Sequence, residues 1–119
     1  MKVAYKIWLD HNGKAFGDGP HEILKGVEKT GSLHQVAVQM GMSYSKAWKL
    51  IREIEQRLGF PLLVRRVGGQ SGGGSQITPQ AKELMLCYAG FQREAKGALE
   101  RIYRKQFASF AQSQERKKT

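Results

Sequence analysis

The sequence predicts a mainly α-helical protein with a small β component, and three features predict it. Two runs of helical apolar spacing, residues 33–40 and 43–58, are separated by a tight break at Gly41. Two apolar runs then flank a glycine-rich segment at residues 68–74, the pattern of a hairpin. From Pro79 onward, apolar residues recur every three or four positions over a long stretch. Helix, tight turn, helix, hairpin and long helix is the order of a winged helix-turn-helix with an N-terminal strand and a long C-terminal helix.

Each element has its own signal. Val3, Tyr5, Ile7 and Leu9 alternate at period two, so residues 3–9 read as a strand. His11-Asn12-Gly13 is a turn and Ala15-Phe16-Gly17 a short return strand. Asp18-Gly19-Pro20 suits a helix start. Ile23, Leu24 and Val27 give the buried side of that helix, and Gly31 ends it. Ser32 caps the next helix, which buries Leu33, Val36, Ala37 and Met40. Ala37 is small enough for two helices to cross there, and Gly41 permits the positive φ of a sharp turn above Met42. Ser43 caps the third helix, whose buried stripe is Ala47, Leu50, Ile51, Ile54 and Leu58, closed by Gly59. Phe60-Pro61 breaks it. Leu62, Leu63, Val64 and Val67 read as a strand carrying Arg65 and Arg66, and residues 75–78 as its return. Thr78 caps the last helix, with Pro79 at its first position. That helix is expected to run to about Phe110, giving one domain over 1–111 and a disordered basic tail over 112–119.

Charge narrows the function. The chain of 119 residues carries 20 Lys and Arg against 10 Asp and Glu, a formal net charge of +10. Such an excess points to a polyanion, either nucleic acid or an anionic membrane. From Lys29 to Lys82 there are eight basic residues and two acidic ones, Glu53 and Glu55. Solvated surfaces mix both signs, whereas a stretch nearly cleared of acids suits phosphate. No run approaches the roughly 18 apolar residues of a membrane span. The single Cys87 can close no internal disulfide, and the N-terminus lacks a signal-type pattern. The expected location is the cytoplasm.

With the apolar stripe of the third helix assigned, Ser43, Tyr44, Ser45, Lys46, Lys49 and Arg52 point outward from its early turns. That is the part of such a helix that meets base edges in the major groove. Hydroxyls and cations there can bond phosphates and purine acceptors. On the hairpin, Arg65, Arg66, Gln70 and Ser71 are candidate phosphate contacts, the alternative being a tip that touches nothing. Trp48 lies beside the buried stripe. It can touch DNA or pack against the wing or first helix, and the area of an indole favours packing. The glycine run is not a phosphate loop, since no Gly-Lys-Ser/Thr follows and a strand comes next. His11, His21 and His34 share no metal-ligand spacing, Cys87 falls in an apolar stripe that places it in the core, and no nucleophile constellation appears. No metal, cofactor or catalytic activity is expected.

Ser43-Tyr44-Ser45-Lys46-Ala47-Trp48-Lys49-Leu50-Ile51, together with Arg65-Arg66-Val67-Gly68-Gly69-Gln70-Ser71-Gly72-Gly73-Gly74 and Thr78, resembles the N-terminal domain of the molybdate-responsive regulators of the ModE type. Residues 54–65 resemble, more distantly, the LysR-type regulators. The resemblance covers residues 20–90 and implies a winged helix-turn-helix that dimerises and regulates transcription. Full-length members carry molybdate-binding domains after the long helix. The chain ends at Thr119, so molybdate binding is not expected.

Leu84, Tyr88, Phe91, Ala95, Ala98 and Ile102 repeat at four and three residues, a heptad stripe continued by Phe107 and Phe110. About 30 helical residues extend roughly 45 Å, more than a small core covers. The stripe therefore reads as a two-fold dimer interface over the helix at 79–110, alone or with the 3–9 strand, against the alternative of packing within one chain. The expected protein is a homodimeric, sequence-specific regulator that binds double-stranded DNA. The alternatives are a weakly specific or architectural DNA-binding protein and a winged-helix module that binds another protein.

Overall fold

A computed structural model describes residues 1–66 and 74–118. The elements are β1 (Trp8–Asp10), β2 (Lys14–Gly17), α1 (Asp18–Thr30), α2 (Leu33–Gln39), α3 (Tyr44–Leu58), β3 (Leu63–Arg66), β4 (Gly74–Ile77) and α4 (Pro79–Lys118). This is the winged helix-turn-helix expected, mainly helical with two small antiparallel hairpins. Contacts divide the chain into two compact units, Ile7–Cys87 and Met1–Lys6 with Tyr88–Thr119.

In the first unit, Phe16, Ile23, Leu24, Val27, Leu33, Val36, Ala37, Ala47, Ile51, Ile54, Leu62, Leu63, Ala81 and Met85 are buried. Glycines set the spacing of its helices. Gly31 ends α1 in the left-handed conformation at φ 73°, its N–H donating to the Val27 carbonyl at 2.7 Å. Gly41, at φ 70°, makes the sharp turn into α3, and the Met42 N–H returns to the Ala37 carbonyl at 2.9 Å. Ser32 and Ser43 cap as expected, their hydroxyls accepting from the backbone N–H of Gln35 and Lys46, each at 3.1 Å. Thr78 does more than cap. Its Oγ1 accepts from the Ala81 N–H and donates to the Pro61 carbonyl at 2.7 Å, tying the start of α4 to the segment between α3 and β3.

Several boundaries differ from the sequence reading. The first strand is Trp8–Asp10 rather than 3–9. A strand needs a hydrogen-bonding partner. Trp8 pairs with Gly17, and α1 begins at Asp18, so β2 has nothing left to offer residues before Ile7. Asp18, not Pro20, opens α1. Met40 is the C-cap of α2 and is 41% exposed, while Leu50 and Leu58 are half-buried. Cys87 is exposed. The buried face of α4 in this unit passes through Ala81 and Met85, four apart, and Cys87 falls two positions past Met85, on another side of the helix. The α4 helix also continues past Phe110 to Lys118, through Ala, Gln, Glu, Arg and Lys, with no Gly or Pro to end it. The wing positions 67–73 lie outside the described residues, as do the expectations placed on Val67, Gln70 and Ser71.

His21 is half-buried edge-on to Phe16, with ring centroids 6.0 Å apart. Loss of hydration holds its imidazole below the usual value, with Lys25 pushing the same way.

The tightest helix contact is at Gly26. A methyl group there would lie 2.7 Å from Val36 Cγ2, and the β-branched Val36 is buried and stiff about χ1. Gly26→Ala gains helix propensity but forces α1 and α2 apart. The expected result is a net loss of about 1–2 kcal/mol. Urea unfolding checks it: a lower midpoint is expected, and a raised midpoint would mean the helices separate without cost.

Candidate nucleic-acid interface

α3 divides its residues cleanly. Ala47, Trp48, Ile51, Ile54 and Glu55 are buried, whereas Ser43, Tyr44, Ser45, Lys46, Lys49 and Arg52 are exposed at its start and outer side. Arg65 and Arg66 are exposed on β3. Lys46 and Lys49 have no ion-pair partner among the described residues, so their charges stay available. The Ser43 hydroxyl is partly committed, because it caps α3.

Arg52 behaves differently from the two lysines. Its guanidinium donates to Glu55 Oε1 at 2.6 Å, and it lies over the Trp48 ring, 4.3 Å from the centroid. Arg52 is therefore held in place while remaining half exposed at its side chain. Arg57, one of the eight cations counted in the basic span, is also committed: its Nη1 donates to the Lys14 carbonyl at 2.6 Å, clipping the first hairpin to α3.

Trp48 is 7% exposed, so the indole packs. Arg65 from β3 also lies over it, 5.0 Å from the ring centroid, and Tyr44 meets it edge-on at 6.4 Å. Tyr44 in turn lies 5.7 Å from the ring of His34 on α2. A chain of rings and guanidiniums thus runs from α2 through α3 to the wing strand.

Glu55 is the residue that sequence reading missed. Its Oε2 accepts from the backbone N–H groups of Leu62 at 2.6 Å and Leu63 at 3.1 Å, while Oε1 takes Arg52. The carboxylate is nearly buried, at 9% exposure. A signal was present. Glu55 stands four residues after Ile51 and one after Ile54, within the apolar stripe, where an acid needs internal partners. The charge count alone shows it only as one of two acids in a basic stretch.

The wing strands are set just as closely. Leu63 pairs with Ile77 and Arg66 with Gly74. The Ser75 N–H donates to the Gly31 carbonyl at 2.9 Å, so β4 also attaches to the turn between α1 and α2. A methyl group at Gly74 would come within 2.6 Å of that carbonyl oxygen, and one at Gly31 within 2.7 Å of Arg66 Nη2. The backbone oxygen leaves no room for a side chain at Gly74, whereas at Gly31 the Arg66 side chain can move aside and it is the positive φ that favours glycine. The result is two elements locked to a common core, with Lys46, Lys49 and Arg65 exposed on the α3 side and Arg66 exposed on the other side of the strand, by Gly31.

The second unit holds the stripe expected to form a dimer, apart from Leu84, which is half-buried in the first unit. Phe91 and Ile102 are 51% and 56% exposed, Ala95 and Ala98 are half-buried, and Tyr88 is buried. Phe107 and Phe110 are exposed; Phe107 stacks on Tyr103 with centroids 5.0 Å apart and meets Phe110 edge-on at 6.2 Å. Among the described residues there is no group of three side chains able to hold a metal ion, and no helix long and apolar enough to cross a membrane.

Residues 21–82 match the family described as bacterial regulatory helix-turn-helix protein, lysR family. The chain is 38% identical over 90 residues to the DNA-binding transcriptional dual regulator ModE of Escherichia coli K12, covering 74% of this chain and 34% of that protein. It is 32% identical over 90 residues to the molybdenum transport protein ModE of Azotobacter vinelandii, covering 76% of this chain and 33% of the relative. It is 29% identical over 112 residues to the molybdenum-pterin-binding protein MopB of Rhodobacter capsulatus, covering 94% and 38%. The chain spans about a third of the length of these curated relatives.

Glu55→Ala removes the acceptor for two buried backbone donors, each costing about 1–3 kcal/mol when left unsatisfied. The expected outcome is a marked drop in the unfolding free energy, with Glu55→Gln intermediate because it keeps one acceptor oxygen. Denaturant unfolding measures it, and an unchanged midpoint in both variants would mean that water satisfies Leu62 and Leu63 instead.

Proposed function

The chain belongs to the lysR family of bacterial regulatory helix-turn-helix proteins, and from that we propose that it binds double-stranded DNA sequence-specifically and regulates transcription in the cytoplasm. The observation that carries this is the face built by α3 and β3. There Lys46, Lys49 and Arg65 stand exposed, while Glu55 is turned inward and committed to Arg52, Leu62 and Leu63. α3 supplies the helix that enters the major groove, with Tyr44, Ser45, Lys46 and Lys49 toward base edges and phosphates, and Ser43 and Arg52 at its border. The wing supplies Arg65 and Arg66, with Gln70 and Ser71 assigned from sequence. The role is one of binding, not catalysis. Molybdenum appears in the names of the relatives, and for these residues we assign only the DNA-directed part of such a regulator, with binding that does not require molybdate.

We assign the exposed apolar residues of the second unit to a homodimer. Phe91 and Ile102 are more than half exposed, and one winged domain alone reads a short site. A two-fold pair places two recognition helices about one DNA turn, roughly 34 Å, apart.

Binding is tested with a duplex selected by the protein from a random library, with and without molybdate. Affinity for that duplex should exceed affinity for random DNA and fall steeply with salt. Lys49→Ala should cost about 1–3 kcal/mol if Lys49 reads a base, or flatten the salt slope by about one if it meets phosphate. Unchanged affinity and slope in both Lys46→Ala and Lys49→Ala would remove α3 from the interface. Salt-insensitive behaviour with no selected sequence would favour a protein-binding module.

Sedimentation tests the dimer. Phe91→Glu with Ile102→Glu should yield a monomer with much weaker DNA binding. An unmodified protein that stays monomeric at micromolar concentration, both free and on its duplex, would rule the dimer out.

A further inference from the structure

We propose that Trp48 is a positioning residue for DNA binding: its ring holds the Arg65 guanidinium of the wing in register with the recognition helix before DNA arrives. The inference rests on the DNA-binding role proposed above. Arg65 lies on β3 with its guanidinium 5.0 Å from the Trp48 centroid, and no carboxylate partners it among the described residues. Arg52, by contrast, is fixed by Glu55 as well as by the ring. The ring itself cannot drift. It is 7% exposed, Tyr44 meets it edge-on, and its own helix is locked to β3 through Glu55.

A free arginine side chain loses rotamer freedom when it binds phosphate, which weakens each contact it makes. A guanidinium lying over an aromatic face has already lost part of that freedom, while its N–H groups, which lie in its own plane, remain available to an acceptor. The indole N–H is buried with no partner among the described residues. The ring is thus held by packing rather than by its polar atom, and its electron-rich face is what Arg65 uses. A tryptophan that touches no DNA would in this way set the affinity of a residue that does.

The experiment is a double-mutant cycle on the full chain with the selected duplex. Trp48→Leu should weaken binding about three- to tenfold, Trp48→Phe less, because a phenyl face still holds the guanidinium. Arg65→Ala should weaken it and flatten the salt slope by about one. In the Arg65→Ala background, Trp48→Leu should cost no further affinity. Circular dichroism and urea midpoints establish that each variant is folded at the assay temperature, and Trp48→Phe carries the test if Trp48→Leu is not. Losses that simply multiply in the double variant, or a Trp48→Phe protein as weak as Trp48→Leu, would overturn the proposal and leave Trp48 a core residue only. If the unmodified protein binds no duplex, it is the DNA-binding role that fails.

Discussion

Glu55 gathers the backbone N–H groups of Leu62 and Leu63 and the guanidinium of Arg52 onto one carboxylate, and the placement of the wing against α3 follows from those bonds. Gly59 turns the chain out of α3 at φ 87°, and Pro61 breaks the helix. Neither says where the next strand must go. The carboxylate does, because two consecutive N–H groups aimed at one oxygen fix the direction of the backbone that carries them. Charged acceptors make stronger hydrogen bonds than neutral ones, which suits a joint that has to hold two DNA-facing elements in fixed relation. Leu62 and Leu63 can then both be buried, with Leu62 outside the ladder that begins at Leu63.

The same economy appears at the other edge of the wing. β4 reaches the turn between α1 and α2 through Ser75 and Gly31, at a distance that the absence of a side chain at Gly74 permits. Helix-turn-helix and wing are therefore joined by hydrogen bonds on two sides, one through the Glu55 carboxylate and one through the Gly31 carbonyl. Rigid presentation of this kind lowers the ordering cost of association. It also explains why cations at the joints are committed to structure, Arg52 to Glu55 and Arg57 to Lys14, while Lys46 and Lys49 have no ion pair among the described residues.

Local chemistry made much of this legible in the sequence. Ser32, Ser43 and Thr78 announce helix starts because a short hydroxyl before an apolar stripe has one favourable use. Gly31, Gly41 and Gly59 announce ends because positive φ is costly for other residues. The outward set on α3 followed by subtraction from the buried stripe. What stayed hidden depends on distant partners. Glu55 looked like one acid among cations because Leu62 and Leu63 meet it only after Pro61 turns the chain. The stacking of Arg65 on Trp48 joins residues on different elements, so no helical or strand period reveals it. Residues 3–9 alternate well, but alternation cannot supply a strand with a partner, and β2 is too short to give one. Cys87 sits in an apolar run whose facing only the packing of Ala81 and Met85 decides.

The chain has two basic regions that could meet DNA: the winged unit, and the Tyr88–Lys118 part of α4 with Arg93, Lys96, Arg101, Arg104 and Lys105. Backbone amide resonances recorded during titration with the selected duplex separate them directly. If the winged face reads DNA, the largest shifts fall on residues 43–49 and on Arg65 and Arg66, with smaller ones at Leu62 and Leu63 where Glu55 joins the two elements. Shifts confined to residues 88–118, with α3 and β3 unmoved, would contradict it.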